Sequence, residues 1–420
     1  MFGWEFPPHI SGGLGTACYG LTRGLMEQGA DVLFVVPRLF GDEDTNHFRL
    51  LSASEIGGGA TIQQEISEGK LQVLQVNSGL RPYTAPSSYV VEQQSLTTNT
   101  QFKTEPNGQS AGLSGIYGQG LMEEVFRYAD LAPEIASRYK FDLVHAHDWL
   151  TFPAGMAAAS FAGKPLVVHV HATEFDRSGI QVDERVFEIE KKGMENANRV
   201  IAVSEYTKKI AIKQYGIPES KIDVVHNGVL PQQKKQGLNR EEKHFPLVTF
   251  LGRVTFQKGP DYFLEAAYRV LKVNPAVRFV VAGHGDMMLP MIEKAAGLKI
   301  ASRISFTGFI QEQEITQLFG KSDAYVMPSV SEPFGISALE AARAGVPAVI
   351  SKQSGVAEVL THALLVDFWD SDALADAILA LLKHPRLSGT LAAKGQNQAR
   401  RQTWSKAAGK VLQSYANVAP

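Results

Sequence analysis

Short apolar runs alternate with longer amphipathic segments along most of the chain, and glycine, proline or polar residues separate them. An amphipathic segment over residues 14–28 ends at Gly29 and is followed by the apolar run 32–36. Amphipathic segments of about ten residues or more are typical of helices, and apolar runs of about four to eight are typical of buried strands. Repeated strand–helix–strand order is typical of a parallel sheet with helices on its faces. The pattern therefore predicts an α/β fold.

The alternation predicts two series of elements. In the first, the predicted strands are residues 32–36, 71–76, 143–146, 166–171, 200–203 and 222–225, and the predicted helices are residues 14–28, 121–138, 152–161, 184–197 and 207–215. In the second, the strands are 247–251, 278–282, 304–307, 324–327 and 348–351, and the helices are 260–271, 289–296, 312–319, 336–344, 372–382 and 400–415. Two similar halves imply a cleft between them, lined by strand ends from both sides.

The segment between the two series is polar and charged and shows no apolar periodicity, which indicates a linker over residues 230–244. We therefore expect an N-terminal domain over residues 1–229 and a C-terminal domain over residues 245–399. Residues 41–120 are less regular, and we interpret their polar part, 84–120, as a surface insertion that is a candidate acceptor contact. The first strand looks short at Met1, so an earlier start codon is an open alternative.

Composition narrows the class of protein. The chain has 420 residues, of which 44% are hydrophobic and 20% charged, as in ordinary globular proteins. A net charge of −2 gives no electrostatic reason to expect a nucleic acid or an anionic membrane as partner. Cys18 is the single cysteine, which excludes an intramolecular disulfide and a thiolate metal site. Apolar runs are too short to span a membrane and the N-terminus lacks a signal-peptide pattern, so we expect a cytoplasmic enzyme of undetermined oligomeric state.

Polar clusters follow the carboxyl ends of most predicted strands. They are residues 147–149, 172–177, 204–206 and 226–228 in the first series, and 252–253 and 283–285 in the second. In open α/β sheets, ligands bind at this edge. Gly283 is on that basis a candidate substrate-binding residue.

The fourth strand of the second series leads into a polar loop and a helix that carry the densest candidate chemistry. Glu332 precedes the helix and Glu340 lies on it, and Gly335 between them lets backbone approach a ligand closely. The N–H groups of Phe334, Gly335 and Ile336 would point at an anion. Phosphates favour a helix N-terminus and carboxylates accept hydrogen bonds from hydroxyls, so the arrangement suits a sugar nucleotide. The alternative is a solvated helix start with an acidic cap.

Two further loops offer groups for a phosphate. Arg253 and Lys258 flank a predicted strand-to-helix loop, where two cations could neutralise a diphosphate leaving group without a metal ion. The alternative is two exposed basic residues. Gly12 and Gly13 lie in the first loop, whose spacing differs from the dinucleotide fingerprint GxGxxG. They indicate either a backbone cradle near a phosphate or sugar, or a plain tight turn.

Histidines form two H-x-H pairs at predicted strand ends, His145 with His147 and His169 with His171. Alternation along a strand places the members of each pair on one face, so a metal site is one hypothesis. Buried, hydrogen-bonded rings are the favoured interpretation for His145 and His169, because no pattern for a third ligand is evident.

His171, at the tip of its strand, is the histidine that we assign to the candidate site. Glu174 and Asp176 follow it in the same loop and are close enough in sequence to contribute carboxylates. Asp148 is the corresponding residue at the tip of the preceding strand. We therefore include Glu174 and Asp148 among the candidate substrate-binding residues.

Taken together, these residues resemble a retaining glycosyltransferase of the GT-B fold, in the large family that includes bacterial glycogen synthases and sucrose synthases. The resemblance covers nearly the whole chain except residues 41–120. Its most specific motif is the pair Glu332 and Glu340 separated by seven residues. The resemblance implies two facing Rossmann-like domains with a cleft between them and a nucleotide held mainly by the C-terminal domain. It also implies no metal or other cofactor, and a final helix, residues 400–420, that packs back on the N-terminal domain.

The resemblance also implies a role for each matching residue. Arg253 and Lys258 would bind the diphosphate, helped by the backbone at Gly335 and Ile336. Glu340 would hold the ribose and Glu332 the hydroxyls of the donor sugar. The remaining implied contacts are His171 beside the anomeric carbon, and Gly12 and Gly13 closing over the phosphate. Retention would follow from front-face attack, with the leaving diphosphate taking the proton of the acceptor, so no protein nucleophile is implied.

Within the family, residues 1–15 and 144–149 look most like glycogen or starch synthases. Those that use ADP-glucose usually carry Lys-Thr-Gly-Gly-Leu in the first loop, whereas residues 10–14 here read Ile-Ser-Gly-Gly-Leu. We therefore expect transfer of glucose from UDP-glucose or ADP-glucose to the non-reducing end of an α-1,4-glucan. The alternative is a transferase for lipopolysaccharide, cell-wall or exopolysaccharide glycans, followed by a sugar-nucleotide epimerase or a non-catalytic sugar-nucleotide binding module. The expected partners are a nucleotide-sugar donor and a glycan acceptor, without nucleic acid or an integral membrane contact.

Overall fold

The computed structural model describes residues 1–7, 12–37, 49–52, 71–75, 120–230 and 245–419. They form two α/β units, which we call the N-terminal unit (residues before 231) and the C-terminal unit (residues 245–401). The predicted linker, the polar stretch before residue 120 and part of the first glycine loop lie outside the described residues.

The N-terminal unit is built on parallel strands. Its strands are β1 (Val32–Val36), β2 (Arg49–Ser52), β3 (Leu71–Gln75), β4 (Val144–His147), β5 (Leu166–Val170), β6 (Arg199–Ala202) and β7 (Ile222–Val224). Its helices are α1 (Gly13–Glu27), α2 (Leu121–Arg138), α3 (Phe152–Ala162), α4 (Glu174–Ser178), α5 (Glu184–Asn196) and α6 (Glu205–Tyr215). The strands pair in the orders β1-β3-β2 and β4-β5-β6-β7. Phe2 bridges Val35 and Ala146 in parallel and so joins the two groups.

The C-terminal unit has one six-stranded parallel sheet. Its strands are β8 (Leu247–Leu251), β9 (Arg278–Ala282), β10 (Ile304–Gly308), β11 (Ala324–Met327), β12 (Ala348–Ser351) and β13 (Leu364–Val366). Its helices are α7 (Pro260–Val273), α8 (Met288–Gly297), α9 (Glu312–Lys321), α10 (Ile336–Arg343), α11 (Ser371–Lys383) and α12 (Pro385–Arg401). The order is β10-β9-β8-β11-β12-β13, so the chain reverses its direction of travel between β8 and β11. Such a switch point opens a crevice at the carboxyl ends of the strands.

Helices on both faces bury the C-terminal sheet, which explains why its strands are continuous apolar runs rather than alternating ones. Val248, Phe279 and Val326 are completely buried in one hydrophobic cluster with Phe263 of α7. Close-packed cores of this kind deform little. The loops at the carboxyl edge of the sheet therefore start from a rigid base.

The final helix, α13 (Trp404–Ala416), packs on α1 of the N-terminal unit. Trp404 is only 6% exposed and fits against glycines. A Cβ atom at Gly20 would lie 2.2 Å from Trp404 Cε2, and one at Gly24 would lie 2.6 Å from the Trp404 carbonyl oxygen. The side-chain amide of Gln28 donates to the carbonyl of Ser405 at 2.5 Å. The chain thus ends on the unit in which it began.

Most predicted elements agree with the structure to within a few residues, and the differences have physical causes. The predicted loop 172–177 contains α4, because Thr173 and Asp176 form a capping box that starts a short helix. Strand β13 was not predicted; it is short, and only Val366 of its three residues is buried. Helix α12 was not predicted either, because only Gly395 and Ala399 of it are buried and an apolar stripe is missing. The last helix begins at Trp404 because the Thr403 hydroxyl accepts from the Lys406 N–H.

We predict that Trp404→Ala lowers the free energy of unfolding by about 3–5 kcal/mol, the usual cost of emptying a buried aromatic site. Chemical denaturation followed by circular dichroism measures the change. Trp369→Ala is the matched control, because Trp369 is 58% exposed and its removal leaves no cavity. Equal effects of the two substitutions would contradict the packing of α13 on α1.

Candidate active site

The candidate site lies where the switch point of the C-terminal sheet faces the first loop of the N-terminal unit. Arg253 follows β8, and its side chain lies next to Gly12, since a Cβ atom placed there would be 3.8 Å from Arg253 Cδ and Nε. A Cβ atom at Gly13 would lie 4.0 Å from Cδ1 of Ile336, the first residue of α10. The structure therefore brings the two glycines, the arginine and the helix start together across the cleft.

Lys258 and Glu332 form an ion pair in this cleft. Lys258 closes the short 3₁₀ turn Phe256–Lys258, and its Nζ donates to Glu332 Oε2 at 2.6 Å. The Ser329 hydroxyl donates to the same oxygen at 3.1 Å. The Glu332 side chain is 6% exposed and that of Lys258 is 20% exposed. The ammonium thus holds a buried carboxylate in one position, with its other oxygen available to a ligand hydroxyl.

The N-terminus of α10 is shaped for close backbone approach. Gly335 has φ +106°, a conformation that side chains disfavour. A Cβ atom there would lie 2.9 Å from Met327 Cε and 3.1 Å from Val356 Cγ1, so glycine alone fits. No side chain caps the helix start. Phe334 is buried and its carbonyl accepts from the Val356 N–H at 2.6 Å, which fixes the loop before the helix. The free N–H groups and the helix dipole favour an anion here.

Glu340 lies one turn further along α10 and is partly buried. Burial raises the pKa of its carboxyl from 4.5 to about 7, and the negative charge of Glu312 adds to the shift. Its carboxyl therefore gains or loses its proton near neutral pH. A carboxyl in this state can accept hydrogen bonds from ligand hydroxyls once it ionises, or donate one while it is protonated.

His171 and Asp148 meet at the tips of β5 and β4. The backbone N–H of His171 donates to Asp148 Oδ1 at 2.6 Å, and the backbone N–H of Ala172 donates to the same oxygen at 3.3 Å. Asp148 adopts φ +59° and is 4% exposed. Burial raises the pKa of the Asp148 carboxyl to about 6. Asp148 is thus placed to shape the turn that presents His171.

His171 itself is neutral at physiological pH, because burial lowers its pKa to about 3. Its Nε2 lies 3.0 Å from His147 Nδ1, so one of these two nitrogens donates to the other. The ring is only partly covered, unlike that of His147. A neutral imidazole at the edge of the cleft can contact a sugar without adding charge.

Two predicted substrate-binding residues lie in tightly packed positions. Glu174 is 1% exposed, and its carboxylate accepts from Arg177 Nε at 3.3 Å and from the Ser178 hydroxyl at 2.5 Å. A Cβ atom at Gly283 would lie 1.8 Å from the Gly252 carbonyl oxygen, so this glycine allows two loops to touch. The Glu174 carboxylate is therefore hydrogen-bonded within its own loop, and Gly283 lets its loop touch the loop after β8, while their substrate-binding roles stay predictions.

The four histidines of the two H-x-H pairs stack on one face of β4 and β5. Ring centroids of His145 and His147 are 4.3 Å apart, and those of His169 and His171 are 4.2 Å apart. Burial lowers the pKa of each ring. His145 Nδ1 lies 2.5 Å from the hydroxyl of Tyr415 on α13. The expectation of hydrogen-bonded rings is wrong for His169, since neither of its ring nitrogens has a partner among the described residues.

The stacked arrangement also bears on the metal hypothesis. Ligand atoms of His145, His147 and His169 lie within 4.8 Å of one another, as do those of Cys18, His147 and His171. Neighbouring rings in the stack are only 13–30° from parallel. The lone pairs of parallel rings run side by side, whereas a tetrahedral metal needs them to converge on one point. This geometry favours packing over coordination.

Sequence reasoning missed the polar side chains that surround Glu332. Ser329 donates to the carboxylate itself, and the hydroxyl of Ser331 donates to Asp176 of the N-terminal unit at 2.5 Å. The signal was present in the sequence as two serines within three residues of Glu332. The partner of Ser331 could not be found there, because Asp176 lies 155 residues away along the chain.

Two families of known sequences match the chain. The family described as glycosyl transferases group 1 matches residues 231–402, and glycosyltransferase family 4 matches residues 101–233. The two matches meet at the predicted linker. The first therefore covers the unit that carries Arg253, Lys258, Glu332 and Glu340.

Similar curated proteins are also glycosyltransferases. An uncharacterized glycosyltransferase of Methanocaldococcus jannaschii is 29% identical, over 86% of this chain and 82% of its own length. The glycogen synthase of Mycobacterium tuberculosis is 25% identical, over 86% of this chain and 80% of its own length. A D-inositol 3-phosphate glycosyltransferase of Rhodococcus jostii is 28% identical over 66% of both chains.

Solved structures share the fold at low sequence identity. Sucrose-phosphate synthase of Thermosynechococcus elongatus has a TM-score of 0.72 and 18% identity, covering 99% of this chain and 97% of its own. Anabaena Alr3699/HepE in complex with UDP-glucose has a TM-score of 0.66 and 17% identity, covering 99% and 98%. Among the helices in the described ranges, none has the length and apolar character needed to cross a bilayer. The two facing parallel-sheet units have the GT-B fold of these solved structures, and the unit with the candidate site matches the family described as glycosyl transferases group 1.

Proposed function

We propose that this chain is a retaining, metal-independent glycosyltransferase that moves glucose from UDP-glucose or ADP-glucose to the non-reducing end of an α-1,4-glucan. The observation that carries the proposal is the Lys258–Glu332 ion pair beside the open N-terminus of α10. This arrangement offers a cation, a carboxylate and free N–H groups within one cleft. The similarity to a glycogen synthase, and to a neighbour of known structure in complex with UDP-glucose, supports this choice of donor and acceptor.

The diphosphate would bind at the start of α10. The N–H groups of Phe334, Gly335 and Ile336 and the positive end of the helix dipole favour phosphate oxygens there. Arg253 and Lys258 add two positive charges, which stabilise the charge that develops on the leaving diphosphate. Gly12 and Gly13 would approach the phosphates from the other unit. Because two cations already serve this purpose, the proposal requires no metal ion and no other cofactor.

The two acidic residues would hold the hydroxyls of the donor. Lys258, which we propose binds the diphosphate, also donates to one oxygen of Glu332. The second oxygen of Glu332 is therefore placed to accept from hydroxyls of the transferred sugar. Glu340 lies one turn further along α10 and suits the ribose. A hydrogen bond from a hydroxyl to a carboxylate is charge-assisted and stronger than one between neutral groups.

Retention would follow from attack on the same face that the diphosphate leaves. Asp148 and Glu174 accept hydrogen bonds from backbone and side-chain donors, and neither is presented as a nucleophile. In the proposed step, the acceptor oxygen bonds to the anomeric carbon while the bond from that carbon to the diphosphate oxygen breaks. The leaving diphosphate takes the proton of the acceptor hydroxyl. His171 would contact the sugar as a neutral ring.

A second candidate has the same chemistry with a different acceptor. The similar proteins include one that glycosylates D-inositol 3-phosphate, so related chains use acceptors other than a glucan. Residue 10 is isoleucine, whereas glycogen synthases that use ADP-glucose usually carry lysine there, so the donor is also open. The second candidate is a transferase for cell-envelope or exopolysaccharide glycans. A cytoplasmic location remains a prediction in both cases.

The donor and acceptor can be identified directly. We expect nucleotide release from UDP-glucose or ADP-glucose that depends on added glycogen and continues in the presence of a chelator. The assay uses a panel of UDP-, ADP- and GDP-sugars, with and without glycogen. Release from another sugar, or none that glycogen stimulates, would support the cell-envelope candidate instead. Loss of activity in the chelator would contradict metal independence.

Glu332→Ala and Lys258→Ala should each lower turnover by about 10²–10³-fold, because each removes a charge that acts on the reacting diphosphate-sugar. Both variants should fold, as judged by circular dichroism. Lys272→Ala is the matched control, since Lys272 lies over the ring of Tyr268 on the surface of α7. Rates near those of the native chain in either active-site variant would contradict the assignment.

Glu340→Gln should separate stability from activity as a function of pH. The pKa of Glu340 is about 7 in the folded protein and about 4.5 in the unfolded chain. The native protein therefore becomes less stable as the pH rises from 4.5 to 7, because the buried carboxyl must ionise. The variant should therefore melt at a higher temperature than the native chain at pH 8, with the difference shrinking toward pH 5. Native kcat/KM for the donor should rise through pH 7 as the carboxylate forms, whereas that of the variant should stay low.

Glu265→Gln provides the opposite control for that prediction. Hydrogen bonds from Lys294 and Arg269 lower the pKa of the Glu265 carboxyl. Its neutral variant should therefore be no more stable than the native chain at pH 8. Thermal melts from pH 5 to pH 8 measure both variants. A melting temperature of Glu340→Gln that follows the native value at every pH would contradict the raised pKa.

A further inference from the structure

The residues on either side of Glu332 are both held by the N-terminal unit. On one side, the Ser331 hydroxyl donates to Asp176 Oδ1 at 2.5 Å and lies 2.9 Å from the Tyr206 hydroxyl. On the other, the Pro333 carbonyl accepts from the hydroxyl of Ser204 at 2.5 Å. The loop that carries Glu332 therefore belongs to the C-terminal unit but is fastened across the cleft.

The direction of the hydrogen bonds at Ser331 can be worked out from the available protons. Asp176 Oδ2 accepts from both the backbone N–H and the hydroxyl of Thr173 at 2.7 Å. The single hydroxyl proton of Ser331 goes to Asp176 Oδ1. Tyr206 must then donate its hydroxyl proton to Ser331. Asp176 and Ser331 are 2% and 9% exposed, so water cannot replace these bonds easily.

The C-terminal unit fixes the backbone of Glu332 from the other direction. The Glu332 N–H donates to the Gln353 carbonyl at 2.9 Å, and the Gly355 N–H donates to the Glu332 carbonyl at 2.9 Å. A Cβ atom at Gly355 would lie 2.2 Å from the Pro333 carbonyl oxygen and 2.4 Å from Ser204 Cβ. The loop therefore has little room to shift while its contacts with both units persist.

Helix α6, which begins at Glu205 and carries Tyr206, is itself held by the C-terminal unit. Glu358 Oε2 accepts from the Glu205 N–H at 3.0 Å, and Oε1 accepts from the Tyr206 N–H at 2.9 Å. The same carboxylate lies 2.7 Å from His226 Nε2. An acidic side chain at a helix N-terminus is stabilising, so Glu358 acts as a cap supplied by the opposite unit. Tyr206 thus has a fixed place relative to Ser331.

We propose that Tyr206 and Asp176 are positioning residues, which set the placement of Glu332 against Lys258 through the hydroxyl of Ser331. The N-terminal unit then completes a donor site whose binding groups lie on the C-terminal unit. This inference rests on the proposed role of Glu332 in holding the donor sugar. Neither residue needs to touch the donor. A misplacement of about 1 Å at such a group can cost about 100-fold in rate.

Tyr206→Phe is the sharpest single test, because it removes one hydroxyl and keeps the ring. We expect kcat to fall by about tenfold or more while KM for the donor changes by less than about twofold, since the diphosphate contacts remain. Tyr268→Phe on α7 removes the same hydroxyl from a ring that contacts Lys272 and not Ser331. This control should leave kcat unchanged. A fall in kcat for Tyr268→Phe, or none for Tyr206→Phe, would overturn the proposal.

Combined variants test whether the effect passes through Glu332. Ser331→Ala breaks the same connection as Tyr206→Phe, so the double variant should be no slower than the slower single variant. On a Glu332→Ala background, Tyr206→Phe should cause no further loss of kcat. Losses that multiply on that background would show that Tyr206 acts independently of Glu332, which would overturn the positioning role.

Hydrogen–deuterium exchange on the full chain without any ligand tests the same connection independently of activity. Peptides that contain residues 329–336 should exchange faster in Tyr206→Phe and Ser331→Ala than in the native chain, whereas peptides from β9 should be unchanged. Unchanged exchange at 329–336 would overturn the proposal. If the native chain turns over no donor in the panel, the proposed function fails, and the exchange data still decide whether the N-terminal unit holds this loop.

Discussion

The ion pair between Lys258 and Glu332 is the interaction around which the site is built. Each partner comes from a loop after a different strand of the same buried sheet, and the two strands lie side by side at the switch point. Losing one partner of a buried pair costs about 3–5 kcal/mol, because the other charge is left without compensation. The two loops are therefore held in register with each other. The start of α10, between Glu332 and Glu340, takes its position from that register.

Glu340 shows that the site is less stable than it could be, and Gly335 shows how closely its backbone is packed. Burial and the negative charge of Glu312 raise the pKa of Glu340 to about 7, so its ionised form opposes folding at neutral pH. Gly335 holds a backbone conformation that other residues avoid, between Met327 and Val356. Electrostatically unfavourable positions persist where the surrounding structure fixes them, and they cluster at functional sites. Hydroxyls of a ligand would donate hydrogen bonds to the Glu340 carboxylate, and phosphates would fit close to the backbone at Gly335. The two residues therefore support a sugar nucleotide as ligand.

The sequence predicted the fold better than it predicted the surroundings of the site. Strands such as β8 and β11 were found because their apolar runs are buried on both faces, and Arg253, Lys258 and Glu332 were placed at strand ends by the same logic. Glu174 illustrates what the sequence did not predict, namely the hydrogen-bond partners of its carboxylate. Its neighbours Arg177 and Ser178 were visible, but only the folded helix α4 shows that they occupy its carboxylate. A contact between distant segments, such as that of Ser331 with Asp176, leaves no periodic trace in a sequence.

The contacts across the cleft suggest how one donor site can serve different acceptors. The groups proposed to bind the donor lie almost entirely on the C-terminal unit, yet Ser331 and Pro333 are hydrogen-bonded to Asp176 and Ser204 of the N-terminal unit. An N-terminal surface can therefore change its acceptor contacts only if it keeps the few side chains that hold the Glu332 loop. The proposed donor site and the proposed acceptor surface lie on separate stretches of the sequence, and these hydroxyls connect them. These bonds are buried and directional. The loss of a single hydroxyl would therefore misplace Glu332 relative to the reacting carbon and lower the rate, without any change in the groups that bind the phosphates.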